Sequence, residues 1–236
     1  VTDTVGEFLR VIDLTGVFGN AILGGLVARE LHLDPIGFAA LATLSGLGGG
    51  LIRDTLLQHG PPVALTDYLY ALAVIAGAVV AFLTPVHDRA WALIFPVVDA
   101  LALGCWAAAG AQKTLHVGLG WLPAILLGTI TAVGGGALRD LAVRRTPQIF
   151  GGNTLYATCA VAASVVAVAF DYVGRASAGM VLATLVGAGF VLLARWRGWQ
   201  LWTGLDWDYD IQRAPGRLLP RIAVRVNRRP APPPEL

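Results

Sequence analysis

The chain has 236 residues, of which 56% are apolar and only 14% charged, with a mean hydropathy of +0.68 and a net charge of +2. Soluble domains carry about 25% charged residues, so this composition cannot cover a water-facing surface and excludes an ordinary soluble domain. A bilayer protein has no such surface to cover, and the near-neutral charge makes lipid rather than nucleic acid the expected partner.

The N-terminal stretch VTDTVGEFLR places acids before the first apolar run and has no basic n-region. The expectation is a retained first span rather than a cleaved signal peptide. A hydrocarbon core takes about 20 apolar residues per helix, and seven such segments follow in order: 8–28, 36–57, 66–86, 90–111, 120–143, 153–171 and 177–195. Between them lie turn and charge signals, among them Gly60-Pro61-Pro62, Val86-His87-Asp88-Arg89, Lys113 to Gly120, Pro147, and Gly174-Arg175. His32, His59, His87 and His116 fall in these connections and read as solvated residues, not metal ligands. Cys105 and Cys159 sit in apolar stretches, where cysteine behaves as a small hydrophobe. No metal or other cofactor is expected.

Beyond Arg195 the character changes. Trp196, Trp199, Trp202 and Trp207 cluster as aromatic side chains do at headgroup level. Arg213, Arg217, Arg221, Arg225, Arg228 and Arg229 then mark a basic segment ending in Pro-Ala-Pro-Pro-Pro. The segment 196–236 reads as a solvated tail, or as a surface helix on anionic lipid, although Pro220 argues against one continuous helix. With seven spans, thirteen of the 17 Lys and Arg residues, the tail included, fall on one side and four on the other. The positive-inside rule then puts the tail in the cytoplasm and the N-terminus outside, in a multi-pass protein of the cell membrane.

One register shift, 86 residues, aligns nearly every unusual feature without a gap. Asp13 falls on Asp99, Gly24 on Gly110, Thr43 on Thr129, and Gly48-Gly49-Gly50 on Gly134-Gly135-Gly136. Arg53-Asp54 falls on Arg139-Asp140, Pro61 on Pro147, and Leu69-Tyr70-Ala71 on Leu155-Tyr156-Ala157. Two repeats follow, 7–86 and 90–171, each of three spans. An odd number of crossings inverts the second copy, the plan of many transporters and some channels. The seventh helix, 177–195, returns the chain to the cytoplasm. The expected fold is all-α and integral to the membrane, with kinked Gly-rich second and fifth helices.

LSGLGGGLIRD (44–54) and ITAVGGGALRD (130–140) are the informative segments. Each glycine inside a helix costs about 1 kcal/mol against alanine. Irregular backbone at membrane depth survives only against protein or a water-filled cavity. The expectation is a kinked or locally unwound helix whose free backbone groups meet an ion or small ligand. An arginine or aspartate at the bilayer centre costs roughly 2.5–3.5 kcal/mol on insertion scales, a cost that pairing of Arg53 and Arg139 with acids of the opposite repeat would reduce. Asp13 and Asp99, in the first span of each repeat, join these pairs. Thr43, Ser45, Thr129 and Thr131 are candidate pore contacts, though helical Ser and Thr also bond their own carbonyls. The bland reading of all this is close helix packing by small residues, with Arg-Asp as a structural clasp.

The duplicated GGGxxRD helices, the Asp in each repeat's first span and the seven-span plan resemble the prokaryotic members of the trimeric intracellular cation (TRIC) channel family, whose repeat is also known as the glycine transporter or UPF0126 domain. The resemblance covers residues 7 to about 195. It implies a homotrimer, a path in each protomer between the segments 36–57 and 120–143, and permeation of potassium and sodium. By motif position it carries over Gly48 to Gly50, Arg53, Asp54, Gly134 to Gly136, Arg139 and Asp140. A secondary transporter of glycine or another small amino acid is the competing expectation, since half-helix N-termini and an arginine can hold a carboxylate. No Ser-His-Asp, Cys-His or clustered-His arrangement lies within the spans, so an enzyme is not expected.

Overall fold

The computed structural model describes residues 2–83, 89–150 and 155–199, with backbone alone for 2–6, 8, 9 and 89–94. The tail beyond Trp199, with Trp202, Trp207 and its six arginines, lies outside the described residues, as does His87. All regular structure among the described residues is helical. The helices are α1 (Thr2–Glu30), α2 (Pro35–Leu57), α3 (Val63–Thr66), α4 (Tyr68–Leu83), α5 (Arg89–His116), α6 (Trp121–Ala142), α7 (Tyr156–Tyr172) and α8 (Ala176–Arg197).

Local chemistry sets several of the boundaries. Asp34 caps α2 by accepting the Gly37 N–H at 2.7 Å, with Pro35 pre-set for the first turn. Gln58 ends α2 in the left-handed conformation, and Gly60-Pro61-Pro62 prevents its continuation. Asp67 separates the single turn α3 from α4, and its carboxylate accepts the Leu69 N–H at 3.0 Å. Gly198, with a φ of 65°, closes α8. Among the described residues five helices are long and apolar enough to cross a bilayer, whereas α4 and α7 are shorter apolar helices.

Packing follows the repeat. α1, α2 and α4 contact one another, as do α5, α6 and α7; α2 meets α6, α1 meets α5, and α8 packs on α5 and α7. The core where these meet is built largely from Ala, Val, Leu and Cys around the fully buried Trp106. Trp106 fills the notch left by Gly16 and donates its indole N–H to the Asp13 carbonyl at 3.4 Å. Small residues of this kind let helices approach closely where lipid offers no hydrophobic drive. Larger apolar side chains such as Phe82, Leu126, Leu185 and Ile75 lie exposed on the outside, as expected of a lipid-facing surface.

Both Gly-Gly-Gly segments remain α-helical throughout, so the expected local unwinding does not occur. The physical reason is the α2–α6 contact. A Cβ on Gly49 would collide with the Thr131 carbonyl oxygen, and one on Gly135 with the Ser45 carbonyl oxygen. Gly48 and Gly134 face the Cα atoms of Gly135 and Gly49, 3.3 and 3.2 Å from where their own Cβ atoms would stand. As residue numbers rise along α2 they fall along α6, so the two helices cross antiparallel, backbone against backbone. Unwinding here would strand polar groups without water, at several kcal/mol each; the continuous helix with close contact avoids that.

Candidate functional site

Each motif places an arginine and an aspartate one turn beyond the glycine contact, and each pair turns inward. Arg53 is 1% exposed and Arg139 5%. Arg53 Nε donates to Asp54 Oδ1 at 2.7 Å, and Arg139 Nε to Asp140 Oδ1 at 2.8 Å. These pairs form inside one repeat, not across repeats as expected. Adjacent residues let the guanidinium fold back on its own neighbour, which neutralises both charges without any alignment of the two halves.

The first-span aspartates complete two half-sites of the same construction. Tyr70 donates its hydroxyl to Asp13 Oδ2 at 2.7 Å, and Tyr156 donates to Asp99 Oδ1 at 2.8 Å. Every member of the first set, Asp13, Arg53, Asp54 and Tyr70, has its image 86 residues on. The half-sites lie on either side of the α2–α6 crossing, so the structure gathers the six charged residues that the motifs single out into two separate clusters of three.

Their further partners differ. In the first half-site, Arg53 Nη2 also reaches Asp13 Oδ2 at 3.5 Å. Asp54 Oδ1 receives the Lys113 ammonium at 2.7 Å, and Asp54 Oδ2 accepts the Val63 N–H at 3.0 Å. Lys113 belongs to α5, so within the first half-site this lysine carries an ion pair from one repeat to the other. In the second half-site, Arg195 from α8 pairs with Asp99 Oδ2. A cavity of about 10 Å³, room for one water, lies in the first half-site against Asp13, Arg53, Asp54, Tyr70, Trp106 and Gly50. Arg53 Nη1 is buried with no hydrogen-bond partner.

The hydroxyl candidates behave mostly as helical residues. Thr43, Thr129 and Thr131 donate to the carbonyls of Ala39, Ile125 and Leu127 at 2.7, 2.8 and 2.6 Å. Thr43 is exposed on the face of α2, whereas Thr131 is buried at the crossing. Ser45 is fully buried there, and its Oγ has no partner. Gly50 and Gly136 stand apart from the backbone contact, each beside the arginine three residues on. His32, His59 and His116 are exposed at helix ends.

Sequence reasoning missed four residues of this constellation: Tyr70, Tyr156, Lys113 and Arg195. The tyrosines carried a signal, because the 86-residue register aligned them, and a buried tyrosine hydroxyl usually has a partner. The two cations occur in one copy only. Away from the half-sites, Arg145 makes a two-pronged bond to Glu30 at 2.9 and 3.0 Å, joining the end of α1 to the segment after α6. The Glu30 carboxylate holds the Arg145 guanidinium above its ordinary value through these hydrogen bonds. Arg29 caps the end of α4 by donating to the Ala81 and Phe82 carbonyls.

The sequence profile of the glycine transporter family matches twice, over residues 10–85 and 96–172. The UPF0126 inner membrane protein YadS of Escherichia coli K12 is 33% identical over 187 residues, covering 78% of this chain and 88% of YadS. Among solved structures, the TRIC trimeric intracellular cation channel orthologue from Rhodobacter sphaeroides superposes with a TM-score of 0.75 at 28% identity, over 81% of this chain and 98% of that one. A prokaryotic TRIC channel crystallised in 0.5 M KCl gives 0.72 at 25% identity, over 83% and 99%.

Proposed function

Because the chain belongs to the TRIC family of prokaryotic type, whose repeat is the UPF0126 glycine transporter domain, we propose that it is a homotrimeric channel for monovalent cations, potassium and sodium, with one path in each protomer. In this reading seven helices cross the cell membrane: repeats 7–86 and 90–171 in opposite senses, the seventh helix 177–195, and the segment 196–236 as a cytoplasmic tail. The antiparallel α2–α6 crossing and the two matched stretches support the inversion. The observation that carries the function is the duplicated half-site of two aspartates, an arginine and a tyrosine on either side of the Gly-Gly-Gly contact.

Carboxylate and phenol oxygens are hard ligands able to replace part of the hydration shell of a monovalent cation. Asp13 and Asp54 serve the outer mouth, Asp99 and Asp140 the inner one. The arginines hold the carboxylates in place and keep each mouth near neutral, which limits how tightly an ion binds and so lets it leave. Between the mouths, Gly48, Gly49, Gly134 and Gly135 close the path by backbone contact. The helices separate there during opening, exposing Ser45, Thr131 and their neighbouring carbonyls; Thr43 and Thr129, two residues away, lie on the opposite faces of the same helices. Without interlocking side chains, such a contact slides or parts at small cost. Membrane lipid is the other partner, held along the apolar exterior.

The glycine-carrier reading would use Arg53 Nη1 to bind a carboxylate. The cavity beside Arg53, about 10 Å³, has room for one water in this closed conformation. Reconstitution in planar bilayers tests the choice. Unitary potassium currents are expected. Silence over a wide range of voltage and calcium, together with saturable uptake of labelled glycine into proteoliposomes that unlabelled glycine competes away, would overturn the channel in favour of the carrier.

A further inference from the structure

We infer that Arg195, supplied by α8 from outside the repeats, is a residue of the ion path: its guanidinium sits beside Asp99 where a permeant cation would otherwise bind, and it makes two half-sites of equal construction conduct unequally. The inference rests on the channel reading above.

The two half-sites share every aspartate, arginine and tyrosine, so their unequal partners are the informative feature. Asp13 receives Tyr70 at 2.7 Å and only a longer approach from Arg53, at 3.5 Å, and it faces a cavity with room for one water. Asp99 is fully engaged: Tyr156 bonds one carboxylate oxygen and Arg195 the other. Arg139, the image of Arg53, pairs with Asp140. The role that a shared arginine plays loosely in the first half-site is thus taken in the second by a dedicated one.

Nothing in the repeat requires this. The matched stretches end at residue 172, and α8 begins at Ala176. What brings Arg195 to Asp99 is a small-residue seam between α8 and α5. A Cβ on Gly104 would collide with the backbone of Thr184, and one on Gly187 would stand 3.0 Å from both the Gly104 Cα and the Ala163 Cβ. This close approach leaves the last turn of α8 beside α5, and the arginine there covers the carboxylate. The Arg195 side chain is 26% exposed and that of Asp99 only 5%, so the acid is buried and its arginine partner is the member of the pair nearer the surface.

The chemistry of the intruding group decides the consequence. A guanidinium stays charged at any accessible pH and binds a carboxylate through fixed N–H donors. It therefore acts as a permanent tethered cation at one mouth. Lys113, on the other mouth, bonds the second acid, Asp54, and leaves Asp13 facing the cavity. The extra cation thus covers the motif acid, Asp54, at one mouth and the first-span acid, Asp99, at the other, where Asp140 keeps Arg139 alone.

Single-channel recording on the full chain in symmetric KCl tests this with Arg195→Gln, Arg195→Lys, Asp99→Asn and the Arg195→Gln/Asp99→Asn pair. Wild type should pass unequal currents at equal and opposite voltages. Arg195→Gln uncovers Asp99, and it should change that ratio at least twofold and raise potassium over chloride permeability. Lysine at 195, and separately removal of the Asp99 charge from the Gln variant, should each reverse the change. Asp99→Asn alone leaves an unmatched guanidinium in the path and should lower potassium conductance several-fold; it decides the matter if Arg195→Gln does not assemble. Arg195→Gln currents identical to wild type, a double variant indistinguishable from Arg195→Gln, or normal conductance in Asp99→Asn each overturns the inference while leaving the channel intact. A silent wild type overturns the channel reading itself.

Discussion

Gly49 lies so close to Thr131 that a methyl group on it would occupy the space of the Thr131 carbonyl oxygen, and Gly135 stands in the same relation to Ser45, both residues shifted by 86 positions. A Cβ on Gly50 or Gly136, in the same triplets, would meet only an arginine tip, at 3.8 and 3.7 Å. Alanine should therefore separate the three glycines. Gly49→Ala and Gly135→Ala force two backbones apart and should destabilise by about 1–3 kcal/mol, the usual cost of overpacking. Gly50→Ala and Gly136→Ala gain helix propensity of up to about 1 kcal/mol and should hold or raise the melting temperature. Thermal unfolding of the four variants in one detergent gives the comparison; equal losses at all four positions would refute the packing account.

Tyr70 and Tyr156 make the same bond but leave different remainders when it is lost. In Tyr156→Phe, Asp99 retains its direct bond from Arg195. In Tyr70→Phe, Asp13 keeps only the 3.5 Å approach of Arg53. A hydrogen bond to a charged group contributes about 1.5–3 kcal/mol, so both variants should melt earlier, Tyr70→Phe by the larger margin. The double variant should be close to additive, since each tyrosine bonds an acid of its own repeat. A larger loss for Tyr156→Phe contradicts this order.

The all-helical, apolar character of the chain and the 86-residue register that aligns Asp13, Arg53 and Asp54 with Asp99, Arg139 and Asp140 are legible in the sequence because lipid imposes simple rules: apolar length and intolerance of stray polar groups. The state of the glycines is not. Gly-Gly-Gly suits an unwound turn and a close helix contact equally, and the choice depends on what lies opposite, here the carbonyls of Ser45 and Thr131 in other segments of the chain. The partners of the arginines were misjudged for a related reason. Charge alone points to partners across the repeats, whereas each guanidinium folds back on the aspartate that follows it in the same helix. Lys113 and Arg195 carried no signal at all, because a lone cation near a helix end reads as an orientation mark, and neither has an image in the other repeat.

The Glu30–Arg145 bond joins the two repeats outside the half-sites, and both side chains are well exposed. Exposed pairs contribute about 0.2–1 kcal/mol and are screened by salt. Glu30→Gln should accordingly lower the melting temperature slightly at low ionic strength and not at all in 1 M KCl. A large loss that persists in high salt would show that the pair is a structural clamp.

Lys113 offers the sharpest functional test of the half-sites. Its ammonium lies 2.7 Å from Asp54, which is nearly buried, while the lysine side chain is 31% exposed and so has somewhere to go. Removing it by Lys113→Gln leaves Asp54 with Arg53 and the Val63 N–H, enough to keep the carboxylate oriented but not to cancel the local field of both acids. A more negative mouth concentrates cations. Potassium conductance at low ionic strength should rise about two- to fivefold, with a smaller rise at high salt where the field is screened. Asp54→Asn on the same background removes the uncompensated charge and should bring conductance down again. If Lys113→Gln conducts as wild type across the salt range, the first half-site does not line the path, and the ion route must be sought away from the α2–α6 crossing.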